Sequence, residues 1–368
     1  MTNLPVPYRM NFFEKLGKVV DLTVTFELKS AKGRNKDWLQ QSPVHFKAFF
    51  LEGIERGEEK AFCPQIINII DKEQFDEIVV GAYHTPTAML AIQYMKMKKY
   101  PYYISSDGGF IKQDFYLKKI VKSYFMKGAK GYFSPGSKTD EYLIYYGAAR
   151  NKIFRYPFTS IDESDILAFP LDLESKIKYK KELGIKEEKI ILGVGQIIYR
   201  KGWDVLLKAA CEFFPEVGIY IVGGFPTDDL SGLIQQYDLR NVYFVDFQNK
   251  EMTSKYYMAS DIFILPTRED IWGLVINEAM GYGLPVITTD KCMAGLELIE
   301  DEKNGYLIHN IDSDECVKQI REKLQELLNN DSKRAEFSRV SLQKIAHYTI
   351  KNMVHCYSNV LCGESDEN

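Results

Sequence analysis

The sequence predicts an α/β protein of two domains, each built around a parallel sheet with helices on both faces. Two observations lead to this fold class. The chain has 368 residues, more than one hydrophobic core usually organises. From Ile190 onward, short apolar runs rich in branched residues alternate with stretches of helical spacing, as repeated strand and helix units require. We therefore expect two α/β domains, of which the second is Rossmann-like.

The second domain shows the pattern more clearly and is expected to span residues 161–346. Its helix candidates include residues 203–213 and 273–283, and Gly or Pro closes several such segments. Its strand candidates are residues 190–195, 218–224, 242–247, 262–267 and 285–289.

The first domain is expected to span residues 1–160. Residues 157–189, turn-rich at first and then a charged helix at 171–183, are expected to connect the two domains. A final helix at about 347–362 is expected to pack back on the first domain, and the polar tail at 363–368 is expected to fray. The strand candidates of the first domain are residues 21–27, 77–83, 101–105, 131–134 and 152–156.

Composition excludes several classes of protein. With 45% hydrophobic and 27% charged residues, the chain has an ordinary globular composition, and its net charge of −4 argues against a dedicated nucleic-acid binder. The six cysteines form no CxxC pair and the five histidines no HExxH motif, so we expect no metal held by the protein alone. No apolar run approaches the roughly 18 residues that span a bilayer. We expect a cytoplasmic protein or one that is peripheral at the inner face of the cell membrane.

A first candidate site follows the strand at 190–195. Gly195 and Gln196 end the strand, and the basic pair Arg200 and Lys201 precedes a helix. Glycines let an anion approach the backbone, and two cations beside a helix start suit a diphosphate. The alternative is a solvated basic pair on a surface turn.

A second candidate site follows the strand at 262–267. Glu269 and Asp270 lie in the loop after the strand, Gly273 opens a helix, and Glu278 lies about one turn inside it. The two carboxylates Asp270 and Glu278 can then face one ligand, while the amides at 273–275 face its anionic part. The alternative is that Glu269 and Asp270 cap the helix and Glu278 is an exposed helical residue.

These residues resemble the Glu-x7-Glu region of family-four glycosyltransferases, which are retaining enzymes of the GT-B fold; the region reads here as Asp270-x7-Glu278. The wider pattern contains Trp-Gly-Leu at 272–274, Asn-Glu-Ala-Met at 277–280 and Gly-Leu-Pro-Val at 283–286. The resemblance extends, in family order over about residues 190–308, to Gly195-x5-Lys201-Gly202 and to residues 222–224, 259–266 and 304–306.

The resemblance implies the GT-B arrangement of two Rossmann-like domains that face a central cleft. It also implies that the second domain binds a nucleotide-sugar donor, with Lys201 at the phosphates, Glu278 at the ribose and Asp270 at the sugar. Two positions depart from the family. Asp270 replaces a Glu, and Gln196 replaces an Arg whose charge only Arg200 could supply. The donor-binding candidates are Gly195, Gln196, Arg200, Lys201, Glu269, Asp270, Trp272, Gly273, Leu274, Val275 and Glu278.

The first domain is implied to bind the acceptor, and three of its residues are candidates. Asp107 follows the strand at 101–105 and could accept the acceptor's proton or bind its sugar, although an Asp-Gly-Gly turn is equally a loop device. His84 follows the strand at 77–83 and is as compatible with a structural role. With Lys201 and Asp270, these two form the catalytic set. Arg9 could reach the donor phosphates or the acceptor.

One gap in the resemblance concerns the N-terminus. GT-B proteins normally open on a core strand followed by a glycine-rich loop, whereas this chain begins Met-Thr-Asn-Leu-Pro-Val-Pro-Tyr-Arg. Either the first sheet lacks a central strand or the true start lies upstream. We expect the upstream start, because an empty central position leaves unpaired backbone.

The resulting hypothesis is a retaining hexosyltransferase that moves a sugar, most simply from a UDP-sugar, to a glycan or lipid-linked glycan in surface polysaccharide synthesis. No cofactor beyond the donor is required. The alternatives are a non-catalytic nucleotide-sugar-binding subunit of a glycan-assembly complex and an epimerase on the same fold. Residues 91–130 carry nine lysines against two aspartates, which predicts weak association with anionic membranes or, alternatively, a plain solvated helix face.

Overall fold

A computed structural model describes residues 1–30, 43–57, 59–112, 114–210 and 217–363 of the chain. The chain divides into two units. Unit 1 comprises Met1–Ser160 with Thr349–Asn368, and unit 2 comprises Ile161–Tyr348. The sequence placed these boundaries after residues 160 and 346. The α/β class with parallel sheets is confirmed.

Unit 1 begins with helix α1, whose first residue is Pro7; proline suits a first helical position because it has no amide hydrogen to leave unpaired. In α3, the Thr85 hydroxyl accepts a hydrogen bond from the amide of Ala88 and caps the helix. The helices are α1 Pro7–Leu16, α2 Ile66–Glu73, α3 Pro86–Lys98, α4 Tyr116–Met126 and α5 Ser137–Tyr145; the strands are β1 Thr23–Phe26, β2 Lys47–Phe50, β3 Ile54–Glu55, β4 Ala61–Phe62, β5 Val79–Val80, β6 Tyr103–Ser105, β7 Gly131–Ser134 and β8 Ile153–Arg155.

Unit 2 holds one six-stranded parallel sheet in the order β11-β10-β9-β12-β13-β14, the doubly wound order of a Rossmann domain. Strands β9, β10, β12, β13 and β14 are almost entirely buried, as a sheet covered on both faces requires, whereas the edge strand β11 is half-buried. The strands are β9 Lys189–Val194, β10 Val217–Val222, β11 Val242–Val245, β12 Ile262–Leu265, β13 Val286–Thr289 and β14 Gly305–Ile308; the helices are α6 Leu173–Leu183, α7 Trp203–Ala209, α8 Asp228–Gln236, α9 Lys250–Ala259, α10 Leu274–Gly281, α11 Met293–Leu298, α12 Asp314–Asn329 and α13 Asp331–Ile345.

The last helix, α14 Ile350–Cys362, returns to unit 1 and packs on α1. Its Tyr357 ring stacks on Phe133 of β7 at 4.0 Å, and its hydroxyl lies 2.7 Å from the Ser105 hydroxyl. Residues 364–368 of the predicted tail and residues 211–213 of the helix predicted at 203–213 lie outside the described residues.

Three sequence expectations about elements were wrong or incomplete. Helix α6, predicted within an interdomain connection, packs on α9 inside unit 2. Strand β2 and the β3-β4 hairpin were not predicted, because these strands are only four, two and two residues long. Strand β14 was absent from the list of strand candidates, although residues 304–306 belong to the family pattern.

The sequence left open whether the first sheet lacks a central strand, and in the structure its central position is occupied. Residues 1–3 lie between β1 and β5 as a short extended segment. On one side the Thr2 amide donates to the Thr25 carbonyl at 2.9 Å; on the other the Gly81 amide donates to the Met1 carbonyl at 2.9 Å. The two-stranded sheet β1-β2 and the four-stranded sheet β5-β6-β7-β8 are thus joined through these residues.

A cavity of about 600 Å³ lies within unit 1 next to this segment. It is lined by Thr23 at the start of β1, by residues 73–77 ahead of β5, by apolar side chains of α1 and α14, and by Arg9 and Asp107. Residues 1–3 therefore fill the central position next to the carboxyl ends of β1 and β5. Next to the amino ends of the same two strands, the position is bordered by the cavity. The upstream start stays a prediction.

Candidate functional site

The carboxyl ends of β9 and β12 meet in unit 2, because these two strands are neighbours in the sheet. After β9, Gly195 donates its amide to the Val222 carbonyl at 2.9 Å, and a turn of 3-10 helix carries Arg200 and Lys201. Gly202 ends that turn at φ 72°, and a Cβ there would lie 1.8 Å from the Pro266 carbonyl oxygen. Only glycine lets the basic turn approach the end of β12 this closely.

The basic turn meets Asp270, one of the predicted site residues. Lys201 Nζ lies 2.6 Å from Asp270 Oδ2, and the side chains are 10% and 15% exposed. Arg200 Nη1 lies 3.8 Å from Asp270 Oδ1 and 2.5 Å from the Glu269 carbonyl, which accepts its hydrogen bond. Two cations and one carboxylate therefore share this edge of the sheet, and the cluster keeps a net positive charge for an anion.

Helix α10 begins beside this cluster. Gly273 precedes it at φ 100°, where a Cβ would lie 2.6 Å from Cys292 Sγ. Since glycine, not Glu269 or Asp270, occupies the capping position, the capping alternative for these two carboxylates is wrong. The first amides of a helix lack partners within it, so those at 273–275 can serve an anion. The Trp272 indole donates to Asn277 at 2.9 Å and anchors the loop.

Glu278 lies in the second turn of α10, and a buried tyrosine orients it. The Tyr257 hydroxyl donates to Glu278 Oε2 at 3.0 Å, and the Tyr257 ring stacks on Tyr282 at 5.2 Å. Burial raises the pKa of Tyr257 well above its usual value, so the phenol keeps its proton and remains a donor. The Glu278 side chain is half-buried rather than fully exposed.

Arg268 also belongs to this edge, although the sequence analysis did not single it out. Its guanidinium donates twice to the Asp204 carboxylate, at 2.8 Å each, and lies 3.9 Å from the centroid of the Tyr199 ring. Although burial raises the pKa of Asp204, the hydrogen bonds from Arg268 hold it below its usual value. Arg268 thereby fixes the basic turn to β12. Its place directly after the predicted strand at 262–267 was the signal that could have identified it.

Gln196 is exposed, and its carbonyl accepts a hydrogen bond from the Trp203 indole at 2.9 Å. Arg200, which was considered as a replacement for the missing family arginine, lies within the cluster. Unit 2 thus brings Arg200, Lys201 and Asp270 together, whereas the Gln196 carbonyl contacts Trp203.

Unit 1 brings two of its three candidates into contact. Arg9 Nη2 donates to Asp107 Oδ2, which also accepts from the Tyr8 hydroxyl at 3.4 Å, and Arg9 Nη1 donates to Asn3 at 2.8 Å. Arg9 is thus engaged inside unit 1 and joins residues 1–3 to the loop after β6. Asp107 Oδ2 is occupied by the same pair, which suits hydrogen bonding to a sugar better than proton abstraction.

His84, the third candidate, is exposed after β5. Desolvation by the protein on one side, together with the charges of Lys60 and Arg9, lowers the pKa of His84 below 6.5. A neutral imidazole at pH 7 can accept a proton.

Glu27 directly follows β1 and was not among the candidates identified from the sequence. Its carboxylate is 2% exposed and accepts hydrogen bonds from the Thr85 hydroxyl and from the Ala61 amide, the latter at 3.3 Å. Burial raises the pKa of Glu27 to about 7. A carboxylate at the end of a buried strand was the available signal.

The second half of the chain is similar in sequence to known glycosyltransferases. Residues 175–343 match the family model described as Glycosyl transferases group 1. An uncharacterized glycosyltransferase of Haemophilus influenzae is 31% identical over 188 residues, 50% of this chain and 51% of that protein. The alpha-galactosylglucosyldiacylglycerol synthase of Streptococcus pneumoniae is 26% identical over 193 residues, 50% of each protein. This chain therefore spans about half the length of the curated relatives it matches.

Solved structures extend the likeness to the whole chain. HepE of Anabaena in complex with UDP has a TM-score of 0.76 at 17% identity, covering 99% of this chain and 100% of that one. HepE in complex with UDP-glucose has a TM-score of 0.71 at 16% identity, with coverages of 97% and 95%. The sucrose-phosphate synthase of Thermosynechococcus elongatus has a TM-score of 0.75 at 18% identity, with coverages of 97% and 92%. At these identities the likeness shows a shared fold alone.

Proposed function

We propose that this chain is a glycosyltransferase that transfers a hexose from a UDP-sugar to an acceptor hydroxyl with retention of configuration. Two findings support the proposal: residues 175–343 match the group 1 family model, and the chain shares its fold with HepE. UDP is the nucleotide proposed because related folds were solved with UDP and UDP-glucose. The acceptor proposed is a glycan or a lipid-linked glycan, since one relative is named as a glycolipid synthase.

The observation that carries this proposal is the meeting of Arg200, Lys201 and Asp270 at the end of β9 and β12. A diphosphate would compete with Asp270 for the Lys201 ammonium and would add contacts to the amides at 273–275. As Lys201 turns to the phosphates, the Asp270 carboxylate is released to accept hydrogen bonds from hydroxyls of the donor sugar. Asp270 is one methylene shorter than the family's glutamate, which suits a role shared with Lys201.

In the reaction we propose, the bond between the sugar and the diphosphate breaks as the acceptor oxygen bonds to the same carbon on the same face. Lys201, Arg200 and the amides at 273–275 stabilise the charge that develops on the departing diphosphate, the main catalytic contribution. The acceptor proton passes to the leaving phosphate oxygen, so no strong base is required of the protein. Glu278 holds the ribose through its carboxylate, oriented by Tyr257.

Release of UDP from a panel of UDP-sugars, with and without glycan and glycolipid acceptors, tests the proposal. A transferase releases UDP in step with acceptor addition, and the product linkage retains the donor's anomeric configuration. Donor binding without release under any condition would instead identify a non-catalytic subunit. Interconversion of the donor sugar without acceptor would identify an epimerase. Either of these results overturns the proposal.

A further inference from the structure

Helix α4 of unit 1 turns its apolar side toward solvent. Phe115, directly before the helix, is 89% exposed, and the first two helical residues, Tyr116 and Leu117, are 78% and 75% exposed. At 100° per residue the exposed apolar and aromatic residues within the helix, from Tyr116 to Tyr124, share an arc of about 140°. This surface, named the α4 face below, consists of Phe115, Tyr116, Leu117, Ile120, Val121 and Tyr124.

The lysines of α4 lie mostly on its other side and contact the protein. Lys118 and Lys122 pair with the nearly buried Asp114 at 3.0 and 2.6 Å, and Lys119 Nζ lies 3.7 Å from the centroid of the Tyr145 ring. Surface helices normally show the reverse arrangement, with the apolar stripe inward. The arrangement here is unfavourable in water and becomes favourable when an apolar medium covers the face.

We propose that the α4 face inserts into the surface of an anionic lipid bilayer. Aromatic and aliphatic side chains together on one helix face match the boundary between headgroups and acyl chains, where tyrosine keeps its hydroxyl hydrated. No helix within the described parts of the chain is long and apolar enough to cross a membrane. The attachment proposed is an interfacial one, made through the α4 face.

Charge favours anionic lipids over a neutral surface. Residues 91–130 carry nine lysines and two aspartates, whereas the chain as a whole has a net charge of −4. Lys118 remains 62% exposed beside its partner Asp114, at the margin of the α4 face. Lysines that lie next to an inserted helix add attraction to anionic headgroups, which salt weakens.

The test is flotation of the purified protein with phosphatidylcholine vesicles that contain either no or about one third phosphatidylglycerol. The paired substitution Leu117→Glu with Ile120→Glu should lower the bound fraction at least about tenfold, because two apolar side chains leave the bilayer and two charges oppose the lipid. Phe169→Glu is the matched control: Phe169 is 79% exposed in unit 2, outside the α4 face. It should float like the wild type.

Folding, salt dependence and self-association are measured on the same proteins, and none of these measurements depends on enzymatic activity. Circular dichroism should show equal folding of all three proteins, because the substituted side chains are exposed. Binding by the wild type that falls several-fold as salt rises supports the proposal. No flotation at low salt overturns it, as does a wild-type dimer in sedimentation that the Leu117→Glu, Ile120→Glu variant abolishes while vesicle binding is unchanged.

Discussion

Replacing Lys201 by methionine removes one charge from the proposed donor site while keeping an apolar stem of similar length. Lys201 donates to Asp270 at 2.6 Å, and both side chains are largely buried. The loss leaves Asp270 with Arg200 at 3.8 Å as its remaining cation. We expect a stability loss of about 1–2 kcal/mol, less than the roughly 3–5 kcal/mol of a fully isolated buried charge. UDP affinity should fall about 10- to 150-fold, from about 1.5–3 kcal/mol for a charged hydrogen bond.

The same sheet offers a matched control at its opposite edge. Asp261, just ahead of β12, pairs with Lys176 at 2.8 Å and with Lys180 at 3.6 Å. Its carboxylate also accepts from the Ile190 amide at 2.9 Å. Lys176→Met therefore breaks an ion pair of similar burial and leaves a second cation, as Lys201→Met does. It should cost similar stability and leave UDP affinity unchanged.

Calorimetry with UDP, thermal unfolding and donor turnover measured on both variants decide the matter. Asp270→Asn provides a third arm, since it frees Lys201 from its partner. That variant should bind UDP at least as tightly as the wild type and turn over more slowly, because its contact is made to the transferring sugar. Equal loss of UDP affinity in Lys201→Met and Lys176→Met would refute the phosphate assignment, since the effect would then follow from stability alone.

Three other outcomes are expected. Glu278→Gln should weaken UDP binding by about 1.5–3 kcal/mol in calorimetry, and unchanged affinity would contradict the ribose assignment. Burial raises the pKa of Glu27 to about 7 from 4.5, so the contribution of Glu27 to stability is complete below about pH 4.5 and is lost as the pH rises through 7. The stability of Glu27→Gln, measured by urea unfolding, should therefore rise by about 1–3 kcal/mol relative to the wild type between about pH 5 and pH 8. A difference in stability that stays constant with pH would exclude the pKa shift. Gly202→Ala places a Cβ 1.8 Å from the Pro266 carbonyl oxygen at φ 72° and should lower the free energy of unfolding by about 3 kcal/mol or more. Gly184→Ala, at φ 70° but with open space around the Cβ, should lower it by only about 1 kcal/mol. Equal losses in the two variants would show that φ alone matters.

The sequence by itself determined the local part of this protein. The alternation of branched apolar runs and helical stretches predicted five of the six unit 2 strands near their observed bounds, for example β9 at Lys189–Val194 against residues 190–195. The motif around Asp270 and Glu278 identified the loop and helix that follow β12. These features can be recognised in the sequence because the hydrophobic pattern of a strand or a helix repeats every two to four residues, within a short stretch of chain.

Tertiary structure alone decided which distant residues meet. Lys201 reaches Asp270, 69 positions away, only because β9 and β12 are neighbours in the sheet, and strand order leaves no local trace in sequence. Residues 1–3 are a sheet segment only through hydrogen bonds to β1 and β5 on their two sides. The apolar arc of α4 could be predicted from its period, but not its outward direction. A period specifies which residues share a face, and packing decides whether that face meets a core or solvent.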